Sequence, residues 1–474
     1  MGYNRRMNDE IFTQIAAIVG QEHCSRELEE RHCYSYDNSR QTFLPDAVVL
    51  PDSTEQVAAL ARLANSRKIP LVARGAGSGT TGGALPVRGG IVLSCTRMNR
   101  ILEIDRENQI AIVEPGLITG EFQQELKKQR LMYAPDPASL KFCTIGGNVA
   151  ECAGGPSAIK YGVTKDSIIG LEVVLASGDI LRTGTRTEKG VVGYDLTRLF
   201  IGSEGTLGII TKIITRLLPL PEHKETFLLT SGSLAEATEL VAAILQESIL
   251  PCTLEYMDKT AIQVVADLLP GALKKDTEAM LIIEIDGDRA HTGRQTQLLQ
   301  KLAATRQQCS LRQAGTEAEI AEIWKARRSI SPAAFTLAPH KTSEDVVVPR
   351  SRIPELVQFC ETLGSRLGLT ILTFGHAGDG NIHVNIMSDN SKEGEEARVA
   401  AAKKDLFEKV LSMGGTLSGE HGIGTSKMPY ISMELNDTSL RVMRQIKELF
   451  DRNNILNPGK IFPESSSGDP SPFQ

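Results

Sequence analysis

A chain of 474 residues exceeds what one hydrophobic core fills, so two or three domains are expected. With 41% hydrophobic and 23% charged residues, a formal net charge of -6 and no dense Lys/Arg block, the chain is an ordinary folded protein, and nucleic acid or an anionic membrane surface is excluded as its main partner. No apolar run of about 18 residues occurs, which excludes a membrane-spanning helix.

From the N-terminus, MGYNRRMNDEIFTQIAAIVG carries early basic residues, but Asp9 and Glu10 interrupt them and the apolar run is short and amphipathic. A first helix is expected there rather than a signal peptide. The eight cysteines, at 24, 33, 95, 143, 152, 252, 309 and 360, form no CxxC pair. That usage suits a cytoplasmic location and argues against a zinc ribbon or a cysteine-held iron-sulfur cluster within the chain.

Ala47 to Leu50 reads as a strand stopped by Pro51. Ser53 with Gln56 signals a capping box, and Val57, Leu60, Ala61 and Leu63 recur at helical spacing in the run to Arg67. A strand from Ile69 to Ala73 leads into RGAGSGTTGG, Arg74 to Gly83. A dinucleotide turn of the Rossmann type needs a helix beginning at its glycines. Here the chain passes through Ala84-Leu85-Pro86 to a strand-like Ile91 to Ser94, and Thr80 stands where the third glycine of GxGxxG belongs. The loop is therefore expected to be an anion-binding nest of main-chain amides, a flexible turn being the plainer alternative.

A strand from Ile110 to Glu114 and a helix from Thr119 to Gln129 precede a second glycine-rich region, TIGGNVAECAGG, Thr144 to Gly155, entered through Pro135-Asp136-Pro137. After strands at Leu171 to Ala176 and Ile180 to Arg182 comes a third, FIGSEGTLGIIT, Phe200 to Thr211. Three such regions suggest one extended ligand touched from several sides. Pro219-Leu220-Pro221 marks a domain boundary. Beyond it, helices are expected at Leu234 to Glu247 and His291 to Cys309, with strands at Leu281 to Ile285 and Val346 to Val348. A hairpin follows, built from Ile371 to Phe374 and His383 to Ile386. A last long helix, Glu395 to Met413, leads into GEHG, and the tail SSSGDPSPFQ reads as disordered.

The hairpin FGHAGDGNIHVN brings His376 and His383 to a Gly-rich turn, and His383 and Asn385 share one strand face. With the carboxylate of Glu420, two imidazoles suffice to hold a divalent metal and leave positions open for substrate. A structural histidine pair is the alternative.

In order along the chain, RGAGSGTTGG, TIGGNVAECAGG, KYGVTKDSIIGLEVV, GYDLTRLFIGSEGTLGIIT, GHAGDGNIHVN, GEHGIG and NPGKIF resemble the FAD-linked oxidases related to glycolate oxidase catalytic subunits and D-lactate dehydrogenases, from about Pro45 to Phe462. The resemblance implies an α+β fold: a two-lobed FAD-binding domain of the vanillyl-alcohol oxidase type at 45–221, and an α+β substrate domain with an antiparallel sheet at 222–465. An N-terminal helical segment at 1–44 and a disordered tail at 466–474 complete the expected organisation. To FAD the resemblance assigns Gly75, Ala76, Gly77, Ser78, Gly79, Gly82, Gly83, Pro135, Asp136, Thr144, Gly146, Gly147, Asn148, Cys152, Gly154, Gly155, Gly162, Ile209 and Asn457. Cys152 stands where many relatives carry Asn. No His or Cys occurs from Arg74 to Gly83, so FAD is expected to be non-covalent.

To a divalent metal, zinc or similar, the resemblance assigns His376, His383 and Glu420. The implied reaction is hydride transfer from C2 of a small D-2-hydroxy acid, lactate or glycolate, to flavin N5. His421 is then the base for the hydroxyl proton, with a role orienting Glu420 as the alternative. Arg327 aligns with the carboxylate-binding arginine of relatives; Arg328 is the other inward candidate, and a surface salt bridge is the plain reading of either. Ser331, four residues on, and Asn385 complete the site. Lys341 is set aside because its spacing differs. Electrons are expected to pass to an iron-sulfur subunit, an electron-transferring flavoprotein or a quinone, with peripheral membrane association through that partner. Two rivals are a catalytically silent FAD-binding subunit and a metal hydrolase, which the glycine loops disfavour.

Overall fold

The computed structural model describes residues 7–463 except 272, 273 and 275, so the tail expected at 466–474 lies outside the described residues. These residues form two compact units that are not contiguous in sequence: 7–153, 163–220 and 420–463 make the first, 154–162 and 221–419 the second.

In the first unit the opening helix is Asp9–Val19, capped by the Asn8 side chain, which accepts the Ile11 N–H at 2.9 Å. The Cys24–Ser25 strand then pairs antiparallel with Ala47–Val49, so the N-terminal segment extends a sheet as well as forming helices. Ser53 caps the helix Thr54–Arg67, while the Gln56 side chain accepts from the Asp52 N–H at 2.9 Å. Val57, Leu60 and Ala61, at the apolar spacing read from the sequence, are fully buried. Leu71–Arg74 lies parallel to Ile91–Ser94, which lies parallel to Ala47–Val49. No helix intervenes between Arg74 and Ile91 among the described residues, so the glycine loop is not a Rossmann turn.

A second sheet is antiparallel throughout, in the order Ile101–Asp105, Ile110–Val113, Ile209–Arg216, Ile168–Val174, Ile180–Gly184. The TIGG stretch begins a helix, Ile145–Glu151, because the Thr144 hydroxyl accepts the Gly147 N–H at 3.2 Å and caps it. Gly146 is required by close approach: a Cβ there would lie 2.5 Å from Pro115 Cβ and 2.8 Å from Pro115 O.

The second unit is one seven-stranded antiparallel sheet, in the order Cys309–Gln313, His223–Ser231, Ala279–Gly287, Thr253–Asp258, Thr370–His376, Asn381–Ser388, His340–Val347. Cys309, expected as the end of a helix, instead starts an edge strand; the helix stops at Ala304, and the free edge of His223–Ser231 recruits the next residues. The helix Glu317–Ala333 packs Ile323, Ala326 and Ile330 onto a sheet face made by Leu228, Met257, Met280, Ile282, Leu372 and Phe374. Truncating fully buried Ile330 to Ala would cost about 2–5 kcal/mol. The 154–162 segment joins this unit through Asp286, whose carboxylate accepts from Tyr161 Oη at 2.7 Å and pairs with Lys160. Among the described residues no helix is long and apolar enough to cross a membrane.

Candidate active site

The second unit builds its polar site from strand register. In the hairpin, His376 lies opposite Asn381 and Phe374 opposite His383; side chains opposite each other share a sheet face. The two imidazoles stand 5.2 Å apart, centroid to centroid, at 84°. Gly375 permits the tight pairing, because a Cβ there would fall 2.4 Å from Asn381 O. On the flanking strands the register sets Glu255 opposite His376 and Asp345 opposite His383. Both carboxylates are fully buried. Asn385 continues the face, its Oδ1 accepting from Ser343 Oγ at 2.7 Å.

The helix Glu317–Ala333 lays Arg327 over this face. Its guanidinium is 2.5 Å from Glu255 Oε2 and 4.8 Å from the Phe374 ring centre, and the other Glu255 oxygen, Oε1, is 2.5 Å from His376 Nδ1. Burial works against the Glu255 charge, yet Arg327 and His376 hold its carboxyl below the ordinary range. The helical phase is thereby settled: Arg327 is inward and 7% exposed, in a buried pair and not a surface one, while Arg328 is exposed and lies 5.9 Å from the Trp324 ring centre. Trp324 Nε1 donates to Glu284 Oε1 at 2.8 Å, which pins the helix one turn before Arg327. Arg327 Nε and Asn385 Nδ2 are buried donors with no hydrogen-bond acceptor among the described residues. Such orphans fit a site made for an anionic, oxygen-rich ligand. Ser331 meets Lys341, whose Nζ donates to Ser331 Oγ at 2.5 Å and Ser331 O at 3.1 Å. Lys341, set aside on sequence spacing, thus belongs to the same polar face.

Glu420 follows directly on Gly419, whose N–H donates to Asp345 Oδ2 at 2.9 Å. Chain connectivity alone therefore starts the Glu420 peptide beside the cross-strand neighbour of His383. His376 Nδ1 is held by Glu255, and a donor set of two imidazoles and one carboxylate suits zinc or a similar ion.

The first unit offers main chain where the second offers side chains. From Ala76 to Thr81, no main-chain N–H donates to a protein acceptor among the described residues, which fits a nest for the FAD pyrophosphate. A Cβ at Gly75 would lie 2.3 Å from Thr144 Oγ1, and Gly77, at φ +67, would meet the Arg74 guanidinium at 2.2 Å, whereas Gly79 faces open space. Beneath the loop, Arg74 is 6% exposed and donates to Tyr36 O at 2.7 Å. Burial lowers its pKa, against the pull of Asp37.

Other residues expected around FAD have structural employment. Asn148 donates to Thr119 Oγ1 at 2.7 Å, and the Ile209 side chain is core. Gln123 Nε2 donates to Pro135 O at 2.9 Å and fixes the entry to Asp136. Cys152 takes a left-handed backbone, φ +55, which Asn adopts readily. Gly154, Gly155 and Gly162 lie in the segment that packs with the second unit. The Asn457 side chain donates to Gly83 O at 2.8 Å and Glu204 O at 2.7 Å, and its Oδ1 accepts from Lys460 Nζ at 2.8 Å. Glu204 accepts the N–H groups of Ile423 and Gly424 at 2.7 and 2.8 Å, and Thr81 Oγ1 donates to His421 O at 2.9 Å. The first loop, the GSEG turn, GEHGIG and NPGK therefore meet at one point.

Sequence reasoning missed Glu255, Asp345, Ser343, Arg74, Glu204 and Lys460. The available signal for the first two was an acid inside an otherwise apolar strand, CTLEYM and SEDVVV, because a charge there is buried only with partners.

A profile of the FAD linked oxidase C-terminal domain matches residues 220–461, and one of an FAD binding domain matches 45–184. The chain is 42% identical over 450 residues to the glycolate oxidase subunit GlcD of Bacillus subtilis, covering 95% of this chain and 96% of that protein. It is 36% identical over 431 residues to a D-lactate dehydrogenase of Anaerostipes hadrus, covering 88% and 89%. Among solved structures, p-cresol methylhydroxylase with substrate bound aligns at TM-score 0.78 and 20% identity over 96% of both chains, a likeness of fold.

Proposed function

The chain belongs to the FAD linked oxidases, with the α+β fold of the vanillyl-alcohol oxidase type, and on that premise we propose that it is a dehydrogenase of small D-2-hydroxy acids, lactate or glycolate, assisted by a divalent metal. The observation that carries this reading is the buried face of the second unit, where the orphan donors Arg327 Nε and Asn385 Nδ2 stand with His376 and His383. Their chemistry matches a carboxylate beside a hydroxyl.

When bound, FAD supplies the acceptor for the hydride leaving C2, and a metal held by His376, His383 and Glu420 supplies the positive charge that acidifies the hydroxyl. Arg327 holds the substrate carboxylate by charge-assisted hydrogen bonds, and its ring contact with Phe374 limits its freedom. Asn385, oriented by Ser343, donates its free N–H to a substrate oxygen. Lys341 and Ser331 extend the polar face to a longer acid's second anionic end. His421 takes the hydroxyl proton at an imidazole nitrogen, a role worth about 10²–10⁴ in rate. The reduced protein then hands its electrons to a partner protein or a quinone; the Bacillus subtilis relative is itself named a subunit.

The test is anaerobic mixing of purified protein with D- and L-lactate, glycolate and D-2-hydroxyglutarate while the visible flavin band is followed. Bleaching by a D-acid or glycolate is expected, with its loss on chelation; no bleaching by any hydroxy acid rejects the reading. Acid precipitation is expected to release all yellow cofactor to the supernatant.

A further inference from the structure

Glu255 touches two elements of the site with the two ends of one carboxylate. Oε1 is 2.5 Å from His376 Nδ1, Oε2 is 2.5 Å from Arg327, and the residue itself is fully buried. We infer that Glu255 is a positioning residue that clamps a metal ligand and the substrate-binding arginine together, so that metal affinity and hydroxy-acid affinity both depend on it. The inference rests on the reading of the site given above and adds to it a residue outside every sequence motif.

Three features make the clamp more than a buried ion pair. The first is register: Glu255 lies directly opposite His376 on paired strands, so the sheet itself sets the Oε1 contact. An imidazole whose Nδ1 is held by a carboxylate keeps one ring orientation, which a metal ligand requires. The second is the approach of Arg327, which comes from a helix held on the same face by Ile323, Ala326 and Ile330 and by the Trp324 to Glu284 bond. Glu255 thus fixes the direction of the guanidinium while Arg327 Nε stays uncommitted. The third is charge. Arg327 and Glu255 neutralise each other, so a substrate carboxylate arriving at Arg327 gains little net attraction until a cation is bound at His376. Metal and hydroxy acid should therefore bind with mutual support through this one carboxylate.

The experiment measures metal and substrate separately. Metal-free protein with its FAD in place is titrated with Zn²⁺ and Mn²⁺ against a fluorescent chelator, for wild type and Glu255→Gln. The amide has one acceptor where the carboxylate has two, so both contacts cannot persist while His376 keeps its proton on Nδ1. Metal affinity is expected to fall by about 10–100-fold, the usual effect of losing a histidine ligand's partner. At saturating metal, KM for the hydroxy acid is expected to rise by about tenfold or more with a smaller change in kcat, as lost uniform binding requires. FAD content should match wild type, which a general folding lesion would not allow.

A second pair of variants removes the risk of a stranded buried cation. Glu255→Leu in an Arg327→Met background is compared with Arg327→Met alone; metal affinity should still fall, whereas KM should no longer respond to position 255. Unchanged metal affinity in both comparisons overturns the inference, even if wild type bleaches with hydroxy acids and the proposed reaction stands. Wild type that binds metal in a Glu255-dependent way but never bleaches would overturn the proposed reaction and leave the clamp intact.

Discussion

The two units build binding chemistry from opposite halves of the polypeptide. In the first, buried side chains serve main chain: Lys460 and Asn457 grip Leu85 O and Gly83 O, Arg74 underlies Gly77, and the amides from Ala76 to Thr81 are left for a ligand. In the second, fully paired main chain serves buried side chains, since the sheet register alone places Glu255, His376, His383 and Asp345 on one face. The first arrangement suits a large, multiply contacted cofactor, and the second suits a small ion and acid that must be held at defined atoms. Lesions should differ accordingly, added atoms harming the first unit and lost donors the second.

The largest effect should follow from removing a donor in the second unit. His383→Ala is expected to lower kcat/KM by about 10³-fold or more, the equivalent of about 4 kcal/mol of lost stabilisation. Steady-state rates with an artificial dye acceptor, read beside the FAD to protein ratio, check it. Wild-type FAD content is expected; loss of FAD in step with activity would break the contrast between the units.

The converse lesion is an added methyl in the first unit. Gly146→Ala places a Cβ against Pro115, whose ring and carbonyl have no rotamer through which to yield. Overpacking of this kind costs about 1–3 kcal/mol, so FAD should bind about 10–100-fold more weakly. Titrating apoprotein with FAD and following flavin fluorescence measures it, and metal affinity of the same variant should be unchanged. Tight FAD binding would show that the loops tolerate side-chain atoms and that the first unit is not built on close main-chain approach.

This contrast also explains what the sequence disclosed. The glycine regions and the hairpin were legible because special backbone demands leave compositional marks: RGAGSGTTGG without a following helix already spoke against a Rossmann turn, and Arg74 to Ile91 bears that out. Alternation placed His383 and Asn385 on one face correctly. What stayed hidden depends on pairing between distant strands. Nothing local to CTLEYM says that Glu255 will lie opposite His376, and nothing in WKARRSISP fixes which arginine turns inward until the helix docks. Lys341 was discounted by counting residues, yet the alternation of its strand carries it, Ser343 and Asp345 to the face shared with Asn385 and His383. The edge strand at Cys309 was lost to a helical pattern because a free sheet edge outweighs local periodicity.

The smallest effects concern pH, and here the units should respond with opposite signs. In the second unit, burial pushes Asp258 up to about 6, although Ala261 N–H, Thr373 N–H and Thr373 Oγ1 all donate to it. An unfolded Asp titrates near about 3.9, so between that value and 6 the folded state holds the extra proton, and its stability falls as pH rises. In the first unit, burial pulls Lys460 down to about 8, against the attraction of Glu204, Asp37 and Glu151. An unfolded Lys titrates near about 10.4, so between pH 8 and that value the unfolded state holds the extra proton and stability rises with pH. Each slope is bounded by about 1.4 kcal/mol per pH unit, the value for one proton. Urea unfolding followed across pH should show Asp258→Asn flattening only the acid window and Lys460→Met only the alkaline one. Both substitutions also remove hydrogen bonds and lower stability at every pH, so the readout is the change in slope. If Lys460→Met left the alkaline slope intact, Lys460 would be charged throughout, and the first unit's loop would be held by an ion and not by a lysine near its neutral point.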